Sequence, residues 1–293
     1  MTLRRPALRR LRATPQQLLY HHNHTIPDLA AYAQLLALES RWPRAEADAL
    51  EAEAPPFSDL RELLAALDDR LRAEEAAPSD SERFIAEQAT RAQFAHIAGQ
   101  FAVDGLVESQ SHLGILPRLP RRARMAVMRV LIDEFGCGNE AREHAGLYAR
   151  LMVELGLSTD PFEHAAHACE ETLAYVNLFH WLASRAPTPD YFLGAYAYFE
   201  SSVLYGFRCY AAACERLGIE AGQYYTEHLH IDSFHSRDMI AALRAWDHEH
   251  GADLAKVWAG VELTRATVAR ATEAAVLAAR TASAEEARTE AST

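Results

Sequence analysis

The sequence is poor in the features that mark secreted, membrane-spanning or nucleotide-dependent proteins. Its four cysteines, Cys137, Cys169, Cys209 and Cys214, show neither a CxxC pair nor zinc-finger spacing. Neither a disulfide framework nor a thiolate metal site is expected, and a reducing cytoplasm is the compartment that fits. No window approaches roughly 18 uninterrupted apolar residues, which argues against a membrane span. No glycine-rich flavin or nicotinamide motif is visible. Runs of short alternating strands are missing as well, so helices should dominate. Positive charge is scarce: Lys and Arg total 29 against 41 Asp and Glu, a formal net charge of −12. That balance argues against a general nucleic-acid binder. The exception is the first 22 residues, where Arg4, Arg5, Arg9, Arg10 and Arg12 stand without an acid. This arm lacks the apolar stretch of a secretory signal and reads as irregular and basic.

What remains is an ordinary globular composition, 49% hydrophobic and 24% charged over 293 residues, enough to bury a sizeable core. Residues 1–26 read as irregular. Helical periodicity is expected over 27–42 and 57–76, separated by an acidic, alanine-rich connector that closes on Pro55 and Pro56. A longer run starts behind Ser79, Asp80 or Ser81 as cap and carries through Ser109. Further helices are expected over 121–134, 140–155, 160–185, 191–217 with Gly218 as stop, 221–248 and 254–279. The polar 281–293 reads as a flexible tail. The expected organisation is therefore an N-terminal arm and helical extension over 1–78, a helical domain over 79–280, and that tail.

The chemistry is concentrated in a few places. In HLHIDSFHSRD, His228, Asp232 and His235 are spaced by four and three residues. That spacing aligns imidazole, carboxylate and imidazole on one helix face and leaves His230 roughly opposite. Such a mixed set suits iron or manganese better than a soft metal; the plain alternative is a surface cluster of charges and hydrogen bonds. In DEFGCGNEAREH, Glu134 and His144 flank a glycine-containing bend, with Asp133 and Glu140 as competitors. Glu200 lies in the apolar stretch YFLGAYAYFESSVLYGF, where a lone buried carboxylate is costly unless a metal or a cation such as Arg208 compensates it. Glu108 ends another buried-looking run, with Asp104 and Glu87 as neighbouring candidates. Histidines and acids thus recur on four expected helices, the inventory of an inward-facing dimetal bundle. They are more than one facial triad needs.

These segments, DEFGCGNEAREHAGLY, YFESSV and HLHIDSFH, in this order and spacing over roughly residues 80–250, resemble the haem-oxygenase-like non-haem diiron oxidases and oxygenases. The resemblance implies an all-α, haem-oxygenase-like helical bundle carrying an N-terminal helical extension. It also implies a metal site and catalytic centre formed by Glu108, Glu134, His144, Glu200, His228, Asp232 and His235. The cofactors implied are two Fe(II) ions with O₂ as cosubstrate and an external electron donor, a reductase or a small reductant, that the sequence does not identify. N-oxygenation of a small amine or amino-acid-derived metabolite is the leading expectation. The same cofactor could instead perform oxidative C–C cleavage or desaturation of an amino acid or fatty acid. Other readings are a haem protein, a metal-free hydrolase using Cys137 or Cys209, and a non-enzymatic helical metal-binding or interaction protein. The expected partner is a small-molecule substrate, with no nucleic acid and no membrane span; homodimerisation through the extension is left open.

Overall fold

The computed structural model describes residues 13–290; the arginine-rich start of the chain lies outside them. The described residues contain fourteen α-helices and no strand. The N-terminal part comprises α1 (Pro15–Asn23), α2 (Leu29–Arg41), α3 (Pro43–Ala52) and α4 (Leu60–Ala76). After a short α5 (Asp80–Arg83) and one π turn (Phe84–Gln88) comes α6 (Arg91–Gly105). A 3₁₀ stretch over Gln110–Arg118 leads to α7 (Arg121–Glu134), and a Gly136–Gly138 turn to α8 (His144–Glu154). The remainder is α9 (Pro161–Ala165), α10 (Glu170–Ser184), α11 (Pro189–Gly206), α12 (Arg208–Leu217), α13 (Gln223–His250) and α14 (Leu254–Glu290).

Several boundaries differ from the sequence expectation, each for a local reason. The stretch read as irregular contains α1, because Thr14 and Gln17 form a capping box ahead of Pro15. The alanine-rich connector is helical as α3, since its prolines stand at its first position and beyond its end. The run expected from Ser79 to Ser109 breaks at Ala89, where Thr90 and Gln93 form a fresh capping box, and stops at Gly105. Helix α8 starts at His144 rather than Glu140. The 160–185 run splits after α9, and the Gln100 side chain accepts the Cys169 backbone N–H at 2.7 Å, ahead of α10. The 191–217 run bends at Phe207, and Gly218 ends α12 at φ 65° as expected. With no proline after Leu254 and no glycine after Gly260, α14 runs past Ala279 to Glu290.

Packing centres on α11, which lies against α13 and α14. It is buried on nearly every side, as a helix apolar all round must be. Two glycines permit the closest approach: a Cβ at Gly194 would fall 1.9 Å from the Val257 carbonyl oxygen, and one at Gly260 would fall 2.0 Å from that of Tyr191. Helix α13 contributes Tyr224 and Tyr225 to one apolar core and Met239, Ala242 and Leu243 to another. His228, Asp232 and His235 fall between the two. The N-terminal helices are tied on by polar contacts, including Arg185 with Glu39 at 2.6 Å and the hydroxyls of Tyr198 and Tyr205 donating to Glu74 at 2.8 and 2.6 Å.

Candidate metal centre

Five stretches of chain converge. Glu108 sits in the turn after α6, Glu134 ends α7, His144 opens α8, Glu200 lies on α11, and α13 carries His228, Asp232 and His235. The turn that brings His144 back beside Glu134 is tight. Gly136, Cys137 and Gly138 all have positive φ, and a Cβ on Gly136 would meet the Glu143 backbone nitrogen at 2.6 Å. Only glycine fits that approach.

Two groups of ligand-type atoms result, each with its members within 4.8 Å of one another: Glu108, Glu134, His144 and His228 in one, and Glu134, Asp232 and His235 in the other. Glu134 belongs to both. Its Oε2 lies 3.0 Å from His144 Nδ1 and its Oε1 3.5 Å from His235 Nδ1, so each oxygen faces a different group. In the first group His144 Nδ1 lies 3.1 Å from His228 Nε2, which is itself 3.1 Å from Glu108 Oε1. The other nitrogen of His228, Nδ1, lies 2.7 Å from the Tyr224 carbonyl oxygen and donates to it, leaving Nε2 to face the group. In the second group His235 Nδ1 stands 3.2 Å from both Asp232 and Glu200. Glu200 therefore reaches the site through His235 and lies outside the tightest set.

The electrostatics are those of a place made for positive charge. Burial would raise the Glu134 carboxyl, but His144, His228 and His235 together hold it well below the usual carboxylate range. Burial opposes protonation of His228, yet Glu108 and then Asp232 and Glu134 push its pKa far up. Burial likewise opposes His235, and Asp232, Glu200 and Glu134 raise it to about 11. Burial, reinforced by Glu200, drives Asp232 up to about 7 against the pull of His235. Several buried atoms also have no hydrogen-bond partner: Glu108 Oε2, both oxygens of Asp232, and His235 Nε2. Orphaned buried carboxylate oxygens are costly. A cation would satisfy them, and histidines mixed with carboxylates are a donor set that iron accepts. The residues present fit the metal.

The sequence alternatives also find their places. Glu87, Glu140 and His230 are exposed, so none joins the site. Arg208 pairs with Glu75 at 2.7 Å rather than with Glu200. Asp133 is no competitor of Glu134 but stands behind His235, its Oδ2 3.5 Å from Nε2. The sequence reading missed Ser109, whose hydroxyl donates to Glu134 Oε2 at 3.1 Å from a left-handed backbone at φ 62°. It also missed Tyr224, which donates to Glu108 at 2.9 Å. The position of Tyr224 one turn before His228 was a usable signal; for Ser109 there was none.

A cavity of about 540 Å³ reaches these groups, lined by Glu108, Glu134, Glu200, His228 and Asp232 among others. Its walls are rich in tyrosine and phenylalanine. Acids line it beyond the metal groups, Glu74, Asp80, Glu82, Asp104 and Glu273, against a single arginine, Arg265. That guanidinium is already paired with Glu262 at 2.9 Å.

No helix among the described residues is long and apolar enough to cross a membrane. The profile of the iron-containing redox enzyme family matches residues 95–268, a span that includes all seven residues of the site. The chain is also 30% identical over 190 residues to nitrosourea synthase from Streptomyces achromogenes subsp. streptozoticus. That match covers 64% of this chain but 40% of the relative, so the chain corresponds to well under half of that protein. With the fold, the buried histidine–carboxylate groups and the family match agreeing, the chain belongs to the iron-containing redox enzymes of haem-oxygenase-like fold and is an oxidoreductase.

Proposed function

We propose that this chain is a diiron oxygenase that uses O₂ to oxygenate the nitrogen of a small amine-bearing metabolite. Glu108, Glu134, His144 and His228 would hold one ferrous ion, and Glu134, Asp232 and His235, joined by Glu200, the other. The observation that carries the two-iron reading is Glu134, whose two oxygens face different groups. Iron bound here would supply the electrons that reduce O₂.

The work of the chain itself is placement. Tyr224 orients His228 through its backbone carbonyl and holds Glu108 through its hydroxyl, and Ser109 fixes Glu134. The aromatic walls exclude bulk water and leave room for a small organic molecule. Inserting one oxygen atom into an N–H bond while the other leaves as water consumes two electrons and two protons per turnover. The net electrons come from an external reductant. A nitrogenous substrate is favoured over a fatty acid by the cavity lining, in which acids far outnumber the one paired arginine. A substrate carboxylate would meet repulsion there.

A product screen tests this reading. The ferrous-loaded chain is mixed anaerobically with amines, amino acids or fatty acids, then given ¹⁸O₂ and analysed by high-resolution mass spectrometry. An N-hydroxy or nitro product carrying ¹⁸O is expected. An alkene, an aldehyde or a shortened product without an N–O bond would assign oxidative cleavage or desaturation instead. Iron uptake with no product from any class would reduce the chain to a metal-binding protein.

A further inference from the structure

Asp104 is one of the five cavity acids that the metal groups leave unused. It lies on α6, four residues before Glu108, and is partly accessible where the cavity passes it. It belongs to neither ligand group. Its Oδ2 accepts a hydrogen bond from the Tyr175 hydroxyl at 2.9 Å. Among the described residues it has no ion-pair partner; burial, and then Glu108, push its carboxyl up to about 7 against the pull of Tyr175 and His228, so a cation bound beside it would hold it ionised. Tyr175 packs edge-on against Phe101 at 6.4 Å and tilted against Phe199 at 5.8 Å. A carboxylate fixed through one oxygen, with the other free and ring faces alongside, is a receptor for a delocalised or compact cation.

We infer that Asp104, held by Tyr175, is the substrate-binding residue that accepts N–H donors from a cationic nitrogen group, an ammonium or a guanidinium, and so selects for basic substrates. This rests on the reading of the cavity as a substrate chamber and names the substrate class it admits. The free Oδ1 takes the charged hydrogen bond, the rings of Tyr175, Phe101 and Phe199 cover the apolar flank of the group, and the rest of the molecule extends along the cavity. The excess of acids around the opening draws cations in.

The test uses two probes of the same shape, n-butylguanidinium and the neutral N-butylurea. Their binding to the anaerobic ferrous-loaded chain is measured by calorimetry, with no O₂ and therefore no turnover. The wild-type chain is expected to prefer the guanidinium. Asp104→Asn is expected to weaken guanidinium binding at least about tenfold, as loss of a charged hydrogen bond does, and to leave urea binding and iron content unchanged. Tyr175→Phe keeps the charge but frees Oδ2, and is expected to cost about two- to tenfold. Equal affinity of the wild-type chain for both probes would overturn the inference, as would an Asp104→Asn protein that binds the guanidinium unchanged. So would loss of iron in that variant, which would make Asp104 a metal ligand. If Asp104→Asn does not fold, the wild-type preference and the Tyr175→Phe effect decide. The binding readout is independent of product. Asp104-dependent guanidinium binding without N–O products would leave this inference standing and remove only the N-oxygenation reading.

Discussion

Replacing Glu134 with glutamine is the most informative single change. The carboxylate presents Oε2 at 3.0 Å to His144 Nδ1 and Oε1 at 3.5 Å to His235 Nδ1, so both proposed irons depend on it. Glutamine keeps the shape but offers one neutral oxygen and one NH₂ group, which has no lone pair to give a metal. One iron position therefore loses a ligand outright and the other loses its anionic charge. Removing a group that merely orients a metal ligand costs about 10–100-fold in affinity, so loss of a shared ligand should exceed about 100-fold. Anaerobic equilibrium dialysis against ferrous iron, with colorimetric iron counting, reads this directly. The wild-type chain is expected to saturate at two irons and Glu134→Gln below one. His144→Ala and His235→Ala, each touching one group, are expected to retain one iron. Circular dichroism confirms that the helices survive in each variant. A Glu134→Gln protein that still takes up two irons at unchanged affinity would refute the shared-carboxylate arrangement.

Four further outcomes follow from the same geometry. Because nearby acids hold the pKa values of His144, His228 and His235 above the ordinary histidine range, protons compete with iron, and ferrous affinity should rise from pH 6 to 8 with proton release seen by calorimetry in different buffers. The same raised pKa values stabilise the metal-free fold below the ordinary histidine range and lose that contribution as pH climbs through the folded-state values, so the Tm gap between iron-loaded and metal-free chain should widen with pH. Gly194→Ala places a methyl group 1.9 Å from a backbone oxygen that cannot move alone, and urea unfolding should show a loss of about 3 kcal/mol or more. His230→Ala, on the exposed face of α13, should leave iron content and Tm unchanged.

Much of this site was legible because helical periodicity carries it. The four- and three-residue spacing of His228, Asp232 and His235 puts them on one face, and all three are buried while His230 is exposed. Glu200 was recognisable as an acid in a helix with no polar side. Glu108 was less legible, since it sits in a turn after a helix that ends earlier than its apolar run suggests. The roles of Ser109 and Asp133 depend on how distant segments meet, which local spacing does not encode. Helix breaks at Ala89 and Phe207 were missed because no proline marks them; caps and tertiary packing overrode a continuous pattern. At Asp160–Pro161, by contrast, the cap and first-turn proline located the start of α9, although not its early end.

On the proposed function, one chain would assemble a pair of irons on its own shared carboxylate, Glu134. Mössbauer spectroscopy of the ⁵⁷Fe-loaded wild-type chain after exposure to O₂ tests it most directly. Two ferric ions sharing Glu134 should couple and give a diamagnetic ground state, seen as quadrupole doublets whose splitting in an applied field at low temperature shows the applied field alone, with no internal hyperfine field. Magnetically split spectra of isolated high-spin ferric iron, at one iron per chain under saturating metal, would contradict the account.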